Sequence, residues 1–270
     1  MLSSILLYLE DEVRAEPAIR LAVQLAKLAN ARVRGVTLVD TRHHAEACTQ
    51  ESAAFATLAH SALVLSEQRQ QGLRQRLSEA CLKADVNFDV RKYVGDPVEV
   101  LTREARFHDL VIASGFVGND SLGLTSTDLI GLVQRSANPL LVLHPHQSVI
   151  ERVLLAYDGT ESAARAIRSY LRLGPLARAD HRLLAIGNNQ TVACEFLREM
   201  GEYCDARCAN LECGYVVGNV RQSLLPYVNK WQADLVVMGA SSEGAMFRRL
   251  FGDSLLQLLR KTSCAWWASN

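Results

Sequence analysis

Apolar and polar positions along the chain form short apolar runs that alternate with amphipathic stretches. In the first half, the apolar runs at 3–9, 32–39 and 109–114 have the length and composition of strands. The stretch 17–29 carries its apolar residues at helical spacing. Because strands that are apolar throughout alternate with helices, the pattern predicts a parallel sheet with helices on both of its faces.

The remaining elements of the first half follow from the same reasoning. Residues 50–84 are predicted to form one long helix, or a pair of helices with a break at Gly72. A further helix is predicted to start at Pro97, because Asp96 is a good N-cap and proline suits the first helical position. The other predicted elements of this half are strands at 86–94 and 140–143 and a helix at 126–136.

The second half of the chain repeats the first. Residues 5–20 and 153–168 align without a gap at an offset of 148 residues, and six of the sixteen aligned positions are identical. Two further blocks recur in the same order, with 94–100 resembling 217–223 and 108–114 resembling 233–239. The second half is predicted to contain strands near 151–157, 180–186, 211–217, 234–239 and 264–268, and helices near 161–173, 190–205, 220–232 and 253–262.

The repeat predicts two tandem domains, 1–147 and 148–270, related by a pseudo-two-fold axis. Residues 144–148 are predicted to form the connector between them. The last strand carries Trp266 and Trp267 side by side, and adjacent strand residues point to opposite faces of a sheet. Both faces therefore need apolar cover, which predicts that this strand is not left open to solvent at the edge of the sheet.

The fold class itself predicts where function lies. In open parallel sheets, ligands bind outside the carboxyl ends of the strands, at the point where the winding direction reverses. In the second half, Asp158 follows the first strand; its carboxylate is suited to accept from a ribose hydroxyl, to bind a metal or to cap the next helix. The loop after the fourth strand leads from Gly239 into a helix start at Gly252, where free backbone N–H groups can hold a phosphate.

These residues and their spacing resemble the universal stress protein (UspA-like) family, in its tandem two-domain form. The nucleotide-binding motif of that family runs Gly, two residues, Gly, nine residues, then Gly-Ser or Gly-Thr. Gly239 and Gly252 match the first and third glycines, whereas Ser242 stands at the second glycine and Asp253 replaces the hydroxyl residue, followed by Ser254. The motif is therefore only partly kept.

The resemblance implies a fold and a ligand. It implies two Rossmann-like, HUP-type domains, each a five-stranded parallel sheet of order 3-2-1-4-5 flanked by helices. It also implies that Asp158 is the first-strand aspartate of the nucleotide site and that Ile186 contacts the adenine. The implied ligand is ATP, with Mg²⁺, or another adenine nucleotide in the second domain.

Asp253 bears most directly on that ligand. A carboxylate at a helix N-terminus takes the N–H groups that a phosphate would use, and it repels an anion. One like-charge contact at 4 Å costs about 4 kcal/mol at an effective dielectric constant of 20. A micromolar affinity corresponds to a binding free energy of about 8 kcal/mol, and one such contact offsets about half of it. Whether the second half binds a nucleotide therefore stays open.

The first half has departed further from the motif. Glu10, Asp11 and Glu12 stand where the second half has Asp158, and the equivalent loop places only seven residues between Gly118 and Ser126. We expect this half to be a structural partner.

Composition excludes several classes of function. The net charge of +0 and the pI near 7.0 give no footprint for nucleic acid. No apolar run reaches 18 residues and no secretion signal is apparent, so we expect a cytoplasmic protein without a membrane span. Buried or inert thiols are favoured over a metal or redox site at the group formed by Cys194, Cys204, Cys208 and Cys213.

The sequence thus predicts a stress-response protein with a sensor or regulatory role, with no catalytic residue and no metal ligand. One alternative is a dimerisation or scaffold module that binds no nucleotide. Another is an adenine-nucleotide hydrolase, disfavoured because the turn at 157–160 lacks the paired glycines of such enzymes. Pairing of the two domains within the chain is expected. The last strands of the family pair antiparallel between subunits, and the resemblance therefore implies that 264–268 pairs antiparallel with 139–143 across the pseudo-two-fold axis. A homodimer and unidentified protein partners stay open.

Overall fold

Strands and helices alternate along the whole chain, as the apolar pattern predicts. The computed structural model describes residues 2–10, 12–42, 53–114, 124–144, 149–173, 176, 178–240 and 264–269. The first half contains β1 (Ser4–Tyr8), α1 (Glu12–Ala29), β2 (Arg32–Asp40), α2 (Ala53–Ala84), β3 (Phe88–Gly95), α3 (Pro97–Ala105), β4 (Leu110–Ser114), α4 (Ser126–Arg135) and β5 (Leu140–Leu143). The second half contains β6 (Arg152–Ala156), α5 (Glu161–Leu173), β7 (Asp180–Gly187), α6 (Gln190–Asp205), β8 (Asn210–Val217), α7 (Val220–Trp231), β9 (Leu235–Gly239) and β10 (Ala265–Ser269).

All ten of these strands form a single sheet. Its order is β3-β2-β1-β4-β5-β10-β9-β6-β7-β8, so each half has the predicted order 3-2-1-4-5. Every neighbouring pair within a half is parallel. The two tandem parallel sheets expected from the sequence are therefore confirmed, and they are joined edge to edge.

The joint between the halves is the antiparallel pair of β5 and β10. Trp266 lies opposite Val142 and Trp267 lies opposite Leu141. The side chains of Trp266 and Trp267 are 3% and 1% exposed, and they belong to the two cores on opposite faces of the sheet. The predicted pairing of the last strand, with apolar cover on both faces, is confirmed.

Each face of the sheet carries one core that runs through both halves. Helices α1, α2, α5 and α6 cover one face, and α3, α4 and α7 cover the other. Amphipathic spacing explains this placement; in α5, for example, Ala163, Ala166, Ile167 and Tyr170 point into the core. None of the described helices is both long and apolar enough to cross a membrane.

Local signals gave mixed results. Asp96 caps α3 as predicted, since its Oδ1 accepts from the backbone N–H groups of Val98 (2.7 Å) and Glu99 (3.1 Å). Of the two alternatives for 50–84, the single long helix is confirmed and the break is wrong, because α2 continues through Gly72. The predicted helix at 253–262 lies outside the described residues. So does most of the connector, at 145–148, and the domain boundary there stays a prediction.

Candidate functional site

Asp158 lies at the carboxyl end of β6, in the turn that leads into α5. Its Oδ1 accepts hydrogen bonds from the backbone N–H (3.1 Å) and the hydroxyl (2.6 Å) of Thr160. Its Oδ2 is buried and has no hydrogen-bond partner among the described residues. A buried carboxylate oxygen without a donor is costly, so this atom has room in its hydrogen bonding for a further donor.

The capping alternative for Asp158 is wrong. The first turn of α5 is capped by Thr160, whose hydroxyl accepts from the N–H of Ala163 at 3.3 Å and whose carbonyl accepts from the N–H of Ala164 at 3.0 Å. Asp158 instead orients Thr160 through the two hydrogen bonds to that residue. The carboxylate of Asp158 is thus held in place by one oxygen while the other is left for a partner.

Gly159 gives the turn its shape. Its φ is +79°, a conformation that L side chains rarely adopt, and a Cβ at this position would lie 2.4 Å from the ring of Phe196. Phe196 belongs to α6, and its ring meets that of Tyr157 edge to face, with the centroids 6.0 Å apart. The aromatic pair therefore packs over the turn that carries Asp158 and fixes the position of the carboxylate.

Gly239 brings the end of β9 against the same turn. A Cβ on Gly239 would lie 2.3 Å from the backbone nitrogen of Ala163 and 2.4 Å from the carbonyl carbon of Ser162. Only a glycine permits the first turn of α5 to approach the strand so closely. The structure thus gives this glycine a packing role and places it close to Asp158.

Ile186 lies at the same edge of the sheet, near the carboxyl end of β7. This strand is the neighbour of β6, and the N–H of Tyr157 donates to the carbonyl of Leu184 at 2.9 Å. Ile186 is 9% exposed and rests on one of the two cores, which leaves it at the boundary between core and edge. Three of the predicted site residues are therefore gathered at one edge. The others, Ser242, Gly252, Asp253 and Ser254, lie outside the described residues.

The corresponding edge of the first half is filled by an ion cluster that the sequence did not reveal. The guanidinium of Arg42 contacts the carboxylates of Asp40 (2.6 Å), Asp128 (2.6 Å) and, at longer range, Asp96 (3.8 Å). These residues come from the ends of β2 and β3 and from the first turn of α4. The carboxylate of Glu10, after β1, accepts from the N–H of Leu124.

Arg42 is the positively charged member of this cluster. Hydrogen bonds to Asp40 and then to Asp128 raise the pKa of Arg42 above its ordinary value. One cation faces three aspartates, with Glu10 nearby, so the described part of this edge is anionic and unsuited to phosphate. This arrangement agrees with the expectation that the first half is a structural partner. No sequence signal marks Arg42, because a single arginine after a strand is commonplace.

The cysteine group divides into buried and exposed members. Cys204 and Cys208 are buried, and burial raises their pKa values to about 12 and about 11. Cys194 and Cys213 are exposed, and all four are free thiols. No group of three or more metal-ligating side chains occurs in the described part of the chain. Thiols with raised pKa values are poor nucleophiles, so the buried pair serves packing.

Two histidines lie far from the candidate site. His108 precedes β4 and His181 opens β7, at the amino ends of the strands. Both are buried, and burial lowers the pKa of each ring. His181 shares a hydrogen bond of 3.0 Å with the hydroxyl of Tyr170, and Nδ1 of His108 lies 2.8 Å from the carbonyl of Glu104. Their role is packing, as expected.

Sequence comparison supports the resemblance. Residues 189–268 match the model of the universal stress protein family. A universal stress protein of Synechocystis sp. is 25% identical over 134 residues, which are 49% of this chain and 47% of that protein. The chain therefore spans about half the length of this curated relative in the alignment.

Solved structures share the whole fold. A universal stress protein from Archaeoglobus fulgidus has a TM-score of 0.70 at 13% identity, covering 99% of this chain and 96% of that one. A candidate universal stress protein from Pseudomonas aeruginosa has a TM-score of 0.61 at 15% identity, covering 99% and 93%. These structures show that the chain shares their fold, and the match at residues 189–268 confirms the predicted resemblance to the universal stress protein family.

Proposed function

We propose that this protein acts in the stress response as a sensor or regulatory partner, and that its second half binds an adenine nucleotide. The observation that carries the proposal is the Oδ2 atom of Asp158, a buried acceptor without a partner among the described residues. It lies at the reversal point of the sheet, between the ends of β6 and β9, where ligands of such folds bind.

The residues at this edge suit a nucleoside. Asp158 would accept from a ribose hydroxyl, because Thr160 already holds its other oxygen. Ile186 would offer an apolar surface to the adenine from the neighbouring strand. The phosphates would face the segment from Ser242 to Ser254, which the family motif assigns to them, and any Mg²⁺ would be held at that end.

A regulatory role is favoured over catalysis by the placement of the titratable groups. His181 lies at the amino end of β7, on the opposite edge of the sheet from Asp158, and His108 lies at the amino end of β4, with β5, β10 and β9 between β4 and β6. Among the described residues, Asp158 has no histidine, lysine or cysteine partner that would activate a nucleophile beside it. Binding without turnover is therefore the expected behaviour.

Asp158→Ala is expected to weaken adenine nucleotide binding by about 10- to 100-fold, since hydrogen bonds to charged groups contribute about 1.5–3 kcal/mol. Calorimetric titration with ATP, with and without Mg²⁺, measures this loss. Glu10→Ala is the matched control, because it removes the aligned carboxylate of the first half. Equal losses from the two substitutions would contradict a site confined to the second half.

Asp253→Ser is expected to strengthen ATP binding at least about tenfold, because it removes a like charge that the sequence places beside the phosphates. The same titration serves as the measurement, with circular dichroism to show that the variant is folded. An unchanged affinity in a folded variant would assign the weak binding to another departure, such as Ser242.

The same titration separates the alternative functions. Heat of binding without release of phosphate supports the nucleotide sensor. Release of phosphate at a rate that Asp158→Ala abolishes would support a hydrolase. No binding by the parent chain or by Asp253→Ser would favour a scaffold module, which the continuous ten-stranded sheet also suits.

A further inference from the structure

A polar groove lies where the two halves meet, at the edge of the sheet that also carries Asp158 and on the face covered by α5. It is a cavity of about 470 Å³ between α5, the start of β5 and the end of β10. Three arginines of α5, Arg165, Arg168 and Arg172, line one wall. Asn138, Pro139 and Ser269 line the wall formed by the strands. We call this cavity the arginine groove.

The three arginines form one row. Their spacing of three and four residues places them on the same face of the helix, along about 10 Å of its axis. Arg165 lies 4.0 Å from Glu161, whose side chain is 82% exposed, so this pair is weak. Within the described part of the chain, Arg168 and Arg172 form no ion pair or hydrogen bond, although all three side chains are exposed.

A second cavity of about 350 Å³ shows what the repeat places at the equivalent position. It is lined by Pro17, Arg20, Leu21 and Gln24 of α1, together with Leu143 at the end of β5. At the offset of 148 residues, these four α1 residues correspond to Arg165, Arg168, Ser169 and Arg172. The duplicated groove is therefore largely apolar in one copy and cationic in the other.

The cationic character is not explained by packing. The equivalent α1 packs into its core with proline and glutamine at two of the three arginine positions. The net charge of the whole chain is +0, so a row of three arginines is a local concentration of charge. Three like charges in a row, of which only Arg165 has an acidic neighbour, repel one another in the free protein. A bound anion would reduce that electrostatic repulsion.

The other walls add an aromatic ring and one acid. Tyr203 of α6 lines the groove, and the guanidinium of Arg207 stacks on its ring at 3.9 Å from the centroid. Asp109 also lines the groove, but its Oδ2 accepts from the backbone N–H groups of Ser3 (2.8 Å) and Ser4 (2.9 Å). These two donors hydrogen-bond one oxygen of the Asp109 carboxylate and offset part of its negative charge, so the groove has a net positive charge.

We propose that the arginine groove binds a small anion that carries two or more adjacent phosphate groups. Guanidinium groups recognise phosphate through paired hydrogen bonds, and they keep their charge at any physiological pH. Because the row extends over about two helical turns, an extended polyphosphate engages more of it than a single phosphate does. None of the described residues that line the groove is among the residues proposed above to hold the nucleotide, although Ser269 pairs with Gly239 at the same edge of the sheet.

The test is a titration of the full chain with inorganic tripolyphosphate at low salt. Arg168→Gln and Arg172→Gln are each expected to weaken binding by about tenfold, and the double variant by about a hundredfold. Arg20→Gln, at the equivalent position of the apolar groove, is the matched control and should leave binding unchanged. Rising salt should weaken binding, because the groove is open to solvent.

Further arms identify the ligand and separate this site from the other one. Asp158→Ala should leave tripolyphosphate binding unchanged, and the double arginine variant should leave the Asp158-dependent part of ATP binding unchanged. Competition by ATP but not by adenosine would identify phosphate esters as ligands as well. Absence of tripolyphosphate binding, orthophosphate binding of equal strength, or an equal loss from Arg20→Gln would each overturn the proposal.

Discussion

Trp267→Ala is expected to lower the free energy of unfolding by about 3–5 kcal/mol, as truncation of a buried tryptophan does. Trp267 is 1% exposed and lies in β10, with β9 on one side and β5 on the other. Its ring meets that of Tyr170 edge to face at 5.5 Å, and its Nε1–H donates to the hydroxyl of Ser169 at 3.3 Å. Urea denaturation followed by circular dichroism measures the loss.

Two control variants separate volume from hydrogen bonding. Trp267→Phe keeps an aromatic ring against Tyr170 and should cost less than Trp267→Ala. Ser169→Ala removes the acceptor of this hydrogen bond, together with the donor to the carbonyl of Ala166 (2.9 Å), and should cost about 1 kcal/mol. Because β5 and β10 join the halves, the loss in Trp267→Ala should appear in a single transition. A cost below about 1 kcal/mol for Trp267→Ala would contradict the central position of this strand.

Much of this architecture is predictable because its signals are periodic or repeated. The parallel sheet follows from the two matching series of apolar runs, and the burial of β10 on both faces follows from Trp266 and Trp267 lying side by side; the strand order and the pairing of β10 with β5 follow from the family resemblance. The sequence could not decide whether α2 continues through Gly72. A glycine inside a helix costs only about 1 kcal/mol, and tertiary packing offsets that cost. Gly72 is followed by Leu73 and Leu77, which are buried against the sheet.

The candidate site was predictable in position and less so in detail. Asp158 and Gly239 follow from the fold rule and from the spacing of the motif, and the structure places both at the edge of the same sheet. The capping role of Thr160 was missed, because Asp158 and Thr160 are both good N-caps and only the backbone geometry decides between them. Arg42 was missed because its partners, Asp40 and Asp128, are distant in sequence from each other.

Arg42→Ala is also expected to lower the free energy of unfolding, by less than Trp267→Ala. Breaking a buried ion pair costs about 3–5 kcal/mol, but the Arg42 side chain is 31% exposed, so about 2 kcal/mol is expected for Arg42→Ala. The cost arises mainly at Asp128, whose side chain is 6% exposed and which would lose the guanidinium 2.6 Å away. Thermal or urea denaturation at low ionic strength measures it.

Arg91 supplies a matched control for Arg42. Arg91 lies 3.5 Å from Asp89, and the two side chains are 48% and 43% exposed, so Arg91→Ala should cost less than about 1 kcal/mol. Arg42→Lys keeps the charge but loses the paired hydrogen bonds to Asp40 and Asp128, and it should fall between the two alanine variants. Equal costs for Arg42→Ala and Arg91→Ala would show that the cluster is no more than an exposed ion pair. Arg42→Ala makes this edge more anionic, so it should not create nucleotide binding in the first half. Nucleotide binding by the variant would show that the Arg42 side chain fills a nucleotide site.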